Sequence, residues 1–334
     1  MRLTPGALRS CLVLLIAAAC TSPAVAEESS RGGAVSLMIE NDIFAGRDEH
    51  YTNGIAVMWV APRGTEAPRW AEKLSNLVPW LPDEGELRHG YMVGQSMFTA
   101  SDTSNPNPPS SDRPYAGWLY GTFGIGKDSD HQFDLFAVTL GVVGPASKAE
   151  QTQNQVHRWT GSTRAEGWST QLHDELGIVL AAQRNWRDVV HGSIGGVSYD
   201  VTPNVGGTFG NVFTYGSAGV ALRFGNQLPK DLGIPRVQPA TFGTGEFTPR
   251  STAGWYLFLG AEGRAVARNI FLDGNTFQDS RSVDRKIWVG DIQYGLVLDI
   301  KSIRISFTNV LRTKEYKTQE KPDRFGALTI SLSY

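Results

Sequence analysis

Beyond position 26 the chain has no cysteine: its two, Cys11 and Cys20, both lie near the N-terminus. The segment that holds them, MRLTPGALRSCLVLLIAAACTSPAVA, has Arg2 and Arg9 ahead of an apolar run, then Ala24-Val25-Ala26 before Glu27. Charge, apolar run and A-x-A site in that order read as a secretory signal peptide over residues 1–26, too short for a spanning helix. Cys20 as a lipoprotein cysteine is disfavoured, because position 17 is Ala where a larger aliphatic residue is expected. The mature chain therefore has no thiol for a disulfide, a metal or a nucleophile. Positive charge is scarce too. Without the signal, 29 Lys and Arg face 33 Asp and Glu, a net charge of −4 that argues against a nucleic-acid partner. Long hydrophobic runs are missing as well: none beyond the signal approaches the ~20 residues of a membrane helix.

The whole chain is rich in glycine (37) and aromatics (34) but has only 5 methionines, unlike a helical enzyme. The C-terminal RFGALTISLSY puts Leu328, Ile330, Leu332 and Tyr334 on one face and Ala327, Thr329, Ser331 and Ser333 on the other. Period two with one apolar and one small polar face is the pattern of a barrel wall in lipid. It recurs at Phe136, Val138, Leu140 and Val142, at Trp288 to Leu298, and at Ile303, Ile305 and Phe307. The polar residues between them must face water or a polar lumen, since lipid cannot satisfy them. Segments near 33–43, 51–61, 89–99, 115–127, 132–144, 175–187, 189–201, 211–224, 253–267, 284–300, 302–313 and 324–334 then make twelve candidate strands. The fold expected is all-β: one closed antiparallel transmembrane β-barrel of about twelve strands over residues 27–334, in a bacterial outer membrane. Parity assigns the connections 44–50, 100–114, 145–174, a turn near 201–210, 268–283 and 314–323 to the outside, and 62–88 and 225–252 to the periplasm. Alternation alone also fits a soluble β-sandwich or a passive pore.

Two places could carry chemistry. In MIENDIFAGRDEHYTNGIAVMWV (38–60), Asn41, Asp42 and Thr52 bring amide, carboxylate and hydroxyl oxygens to the ends of strands 1 and 2. Such donors suit calcium, which takes about 6–8 oxygens at ~2.3–2.6 Å, but they equally suit a polar turn capped by Asp and Asn. In QTQNQVHRWTGSTRAEGWSTQL (151–172), Gln153 precedes His157 by four residues, so on a helix both point the same way. The other five histidines stand singly, in loops or near strand ends. No G-x-S-x-G or H-E-x-x-H occurs. Water activated by a histidine, with a cation taking up the oxyanion charge, is the chemistry left.

ENDIFAGRDEHYTNG (40–54), DRPYAGWLYG (112–121) and QTQNQVHRW ahead of GWSTQL, in this order, resemble the lipid A 3'-O-deacylase family, LpxR. The resemblance covers nearly the whole mature chain. It implies a twelve-stranded outer-membrane barrel that hydrolyses, with Ca2+, the ester of the 3'-linked acyloxyacyl group of lipid A, the membrane anchor of lipopolysaccharide. It places Asn41, Asp42, Thr52, Gln153 and His157 in the active site, with His157 as general base and calcium near Asp42 and Thr52. The family's acidic residue after the histidine corresponds best to Glu166. Where some members carry a lysine, this chain offers Arg113. An outer-membrane phospholipase and a passive pore of similar architecture are the alternative readings. Nothing in the sequence fixes an oligomeric state.

Overall fold

The computed structural model describes residues 33–41, 51–226, 228–229 and 253–334. Asp42 lies outside these residues, as does residues 1–26, read as the signal peptide, and Thr52 is described only by its place in the backbone. One antiparallel sheet closes on itself through β1 (Ala34–Asn41), β2 (Tyr51–Val60), β3 (Glu86–Phe98), β4 (Ala116–Asp128), β5 (Gln132–Val143) and β6 (Glu175–Trp186). It continues through β7 (Val190–Ile194), β8 (Val197–Gly210), β9 (Phe213–Asn226), β10 (Gly254–Asn269), β11 (Trp288–Ile300), β12 (Ile303–Arg312) and β13 (Asp323–Ser333). β1 pairs with β13 from Ala34↔Ser333 to Asn41↔Gly326, and β6 pairs with β8, which closes the ring.

β6 and β7 both pair with β8: Val179–Asn185 face Gly210–Asn204, and Val190–Ile194 face Val201–Val197. They are two pieces of one wall strand, so the barrel has twelve. This corrects the strand expected at 189–201 and the outward turn expected near 201–210. The hairpin lies instead at Gly195 and Gly196, whose φ of 60° and 84° suit glycine. Pro203, which reads as a turn signal, lies inside β8 opposite the break between β6 and β7, where no partner awaits the N–H it lacks.

Alternation sets two faces. Val35, Val57, Val93, Leu140, Leu180, Leu259, Ile292 and Leu332 are exposed on the outer wall, whereas Ser36, Glu40, Thr122, Asp134, Asp200, Arg223, Asp291 and Arg304 are buried in the lumen. The lumen's charges are paired: Arg223 binds Asp200 through Nε (2.9 Å) and Nη2 (2.6 Å), and Arg264 and Arg312 converge on Asp291 at 2.7 and 2.8 Å. A short turn, Ile270–Asp273, pushes Phe271 inward to stack on Phe98 (ring centroids 4.0 Å apart) beside Trp118 and Phe213. Among the described residues, a cavity at this level between Phe98, Tyr215, Arg264, Arg312 and Glu315 is about 40 Å³. That is room for a few waters.

One rim carries both ends of the described wall, where the Tyr334 N–H donates to the Gly33 carbonyl (3.1 Å), together with the tight turns at 129–131, 195–196 and 301–302. It also carries the connection 61–85, which holds α1 (Arg69–Leu77). Ala71, Leu74 and Val78 recur on one side of this segment and pack with Leu87, Phe123, Ile125 and Phe136 of the wall. The opposite rim carries the longer loops, including α2 (Ala149–Thr160).

Candidate active site

The barrel wall lays out the first part of the site by register. Asn41, at the loop-rim end of β1, lies opposite Asn53 on β2; Asn53 faces Met97 on β3, and Met97 faces Gly117 on β4. This row belongs to the outer face: Asn41 alternates with buried Glu40, and Met97 and Gly117 lie an even number of residues from exposed Val93 and Leu119. Thr52 is the extra residue of a β-bulge between Tyr51 and Asn53. Bulges re-aim side chains and are frequent beside active sites.

The second part comes from α2, which packs from outside on the β3 and β4 end of this row. Gly117 makes the contact possible: a Cβ there would lie 2.2 Å from the Ala149 Cβ and 2.2 Å from the Ser147 Oγ. Gln95 on β3 donates to the Ser147 carbonyl at 2.6 Å, and the Ala146 N–H donates to the Asp174 carboxylate at 2.6 Å. Under the helix, Met97, Ala100, Tyr115, Ala149, Ala165 and Trp168 form a separate apolar cluster. α2 ends at Gly161, whose φ of 71° gives the left-handed turn that lets its N–H cap the His157 carbonyl.

Gln153 is buried, and its Oε1 accepts a hydrogen bond from the Trp168 indole at 2.6 Å. Trp168 in turn packs edge-on against Tyr115 (5.3 Å, 71°). The second and third motifs thus meet physically, and the Gln153 amide is locked. Its Nε2 is buried without a hydrogen-bond partner among the described residues, which leaves one donor of the locked amide unused. His157 is half-buried one turn further along the same helix face.

The other predicted residues lie apart. Glu166 is exposed where a short 3-10 turn begins, its N–H bonded to the Thr103 carbonyl (2.9 Å). Arg113 is fully buried at the lumen mouth, its Nη2 2.6 Å from Glu315 and its guanidinium 5.5 Å over the Phe98 ring. There it ties loop 99–115 to loop 313–322, helped by the Tyr316 hydroxyl, which donates to Asp112 at 2.8 Å. Burial alone would raise the Glu315 carboxyl, but the Arg113 and Arg312 guanidiniums hold it below the ordinary glutamate value. Burial also works against the Asp112 carboxylate, and hydrogen bonds from the Ser101 N–H, the Tyr316 hydroxyl and the Arg113 N–H outweigh it and lower the pKa. Sequence reasoning missed Trp168, Gly117 and Tyr115. Only the motif strings GWSTQL and DRPYAG hinted at them.

Asn41, Asp42 and Thr52 make a hard-oxygen donor set that fits calcium by chemistry. Among the described residues, no three His, Cys, Asp or Glu side chains cluster as a metal site.

A closed twelve-stranded barrel with an apolar outer belt, a polar lumen and three tight turns at the rim that holds both ends of the described wall defines an outer-membrane β-barrel protein. The chain belongs to the LpxR family: the family model described as "Outer membrane protein LpxR" matches residues 12–334. Among solved structures it is similar to LpxR from Salmonella typhimurium, 18% identical, over 90% of this chain and 100% of that one, with a TM-score of 0.74. A weaker likeness is to the β domain of the Bordetella autotransporter BrkA, 9% identical over 91% and 100% of the two chains, with a TM-score of 0.46. No curated protein sequence matches. Barrels of this class keep short turns in the periplasm, so the loop rim with α2 faces outward.

Proposed function

We propose that the protein is a lipid A 3'-O-deacylase, a carboxylic ester hydrolase acting on the lipopolysaccharide of the outer leaflet. Placement supports this reading: Asn41 ends β1 on the outer face, and α2, which carries Gln153 and His157, is seated on the same face at β3 and β4, at the rim where a lipid ester would arrive sideways from the membrane. A lumen filled by Phe98, Phe271 and paired charges argues against a passive pore.

The reaction adds water across the ester of the 3'-linked acyloxyacyl group. His157 takes a proton from water as the oxygen attacks the carbonyl carbon, and the collapsing intermediate releases the acyloxyacyl acid and returns the proton to the sugar 3-oxygen. Gln153, fixed by Trp168, offers its Nε2 as a preset donor where charge develops on the carbonyl oxygen. Asp42 and Thr52, beside Asn41, would hold calcium, which when bound would polarise the ester carbonyl. Arg113 contributes by fixing the loops. Glu166 is the acidic residue that the family resemblance offers as a partner of His157; its backbone N–H is held by the Thr103 carbonyl. Mass spectrometry of lipid A from cells with and without the protein tests the substrate; loss of one acyloxyacyl mass supports it, and lysophospholipid formation with unchanged lipid A would indicate a phospholipase.

A further inference from the structure

On the other side of β13 from the site, the outer wall changes character. Large apolar residues give way to a row of Ala218, Gly263 and Gly290, aligned across β9, β10 and β11 by the strand register. A Cβ added at Gly263 would meet no atom within 4 Å, so no other described residue covers the wall there. A recess here measures about 990 Å³, and the next row down, Val220, Ala261 and Ile292, continues its floor into the apolar belt. It opens at the outward rim, where the Gly290 N–H donates to the Thr313 hydroxyl at 2.9 Å. Three cations line its mouth: Lys286, Lys314 and Arg324. Among the described residues none of the three makes an ion pair, while the acids beside them turn inward, Asp291 to Arg264 and Arg312, and Asp323 to Gln319.

We propose that this recess binds one phosphate-bearing lipid of the outer leaflet, its phosphate held between Lys286, Lys314 and Arg324 and the top of an acyl chain laid over Gly263 and Gly290. Two features call for such a ligand together. Three like charges at the headgroup level attract an anionic lipid surface, and glycine and alanine leave an apolar hollow that one chain fills. The proposal does not rest on ester hydrolysis. Arg324 is two residues along β13 from Gly326, the partner of Asn41, so the bound lipid would border the candidate active site without entering it.

The test titrates the full-length purified protein in detergent with dimyristoyl phosphatidylglycerol or dimyristoyl phosphatidylcholine, read by native mass spectrometry, with folding checked by heat-modifiable migration. Wild type should retain one phosphatidylglycerol in preference to phosphatidylcholine, and inorganic phosphate should displace little of it. At roughly fivefold per cation, Lys286→Gln, Lys314→Gln and Arg324→Gln together should weaken retention on the order of a hundredfold. Lys314→Gln alone should cost about fivefold if the triple variant fails to fold, and Lys314→Arg should keep binding. Gly263→Leu should displace both lipids by filling the hollow. Equal retention of the two lipids, an unchanged triple variant, or a protein dimer that these substitutions dissolve would overturn the proposal.

Discussion

Replacing Gly117 by alanine tests whether α2 is seated on the barrel wall. The new Cβ would stand 2.2 Å from the Ala149 Cβ. Non-bonded carbons rest at about 3.5–4.0 Å, so the helix start must retreat by roughly 1.5 Å. Ala149 cannot relieve the clash by rotating, because its Cβ is fixed to the helix backbone. The wall itself has little reason to fail, since its ladder hydrogen bonds are made by backbone on either side of Gly117. A displacement of about 1 Å in a positioning element can cost ~10²-fold in rate, and Gln153 and His157 both ride on this helix. The purified variant should migrate as a folded barrel on unheated gels yet deacylate lipid A about a hundredfold more slowly. Gly121→Ala, on the same strand and face but with its nearest contact at 3.9 Å, should keep full rate. Full activity in Gly117→Ala would refute the seating of α2, and equal losses from both variants would point to general damage to the strand.

His157→Ala should lose about 10²–10⁴-fold in rate with assembly intact, as for any general base, whereas His89→Ala should retain most activity. Asp42→Ala should lose activity together with its response to chelator and added calcium; a variant still active in chelator would place the site elsewhere. Glu315→Gln leaves Arg113 buried without its anion, a change that costs about 3–5 kcal/mol in comparable pairs, so loop 313–322 should become protease-sensitive. The lowered Asp112 carboxyl has a definite sign: its stabilisation is present above the unfolded value, about 3.9, and is lost as pH falls through the lower folded value. Pepsin digestion should therefore find the joint between loops 99–115 and 313–322 intact until pH drops below the ordinary carboxylate range, whereas Asp112→Asn should open it at every pH.

Strand alternation was the most legible part of the fold, because lipid on one side and a polar lumen on the other enforce period two. Eleven of the twelve expected segments overlie the strands they predict; 189–201 failed because Pro203 and the glycines after Asn204 resemble a turn, and only the gap between β6 and β7 makes proline tolerable there. α1 went unread, although Trp70, Leu74, Leu77 and Val78 carry a helical period. Helical spacing did place Gln153 and His157 on one face of α2. What sequence could not supply was which side of the wall that helix occupies, since this depends on Gly117 and Gln95 meeting a loop some 30–50 residues away. Nor could it pair Arg113 with Glu315, 202 residues apart, a contact that puts the arginine at the lumen mouth and not beside His157.

The central claim is that the outer-wall face of α2 and the end of β1 cleave the 3'-ester of lipid A. Its most direct measurement is the mass spectrum of lipid A from cells expressing the wild-type chain, the His157→Ala variant at equal abundance, or neither. The wild-type chain should remove the mass of one acyloxyacyl group, and the other two cultures should match each other. Lipid A unchanged by the wild-type chain, or shortened equally by the His157→Ala variant, would contradict it.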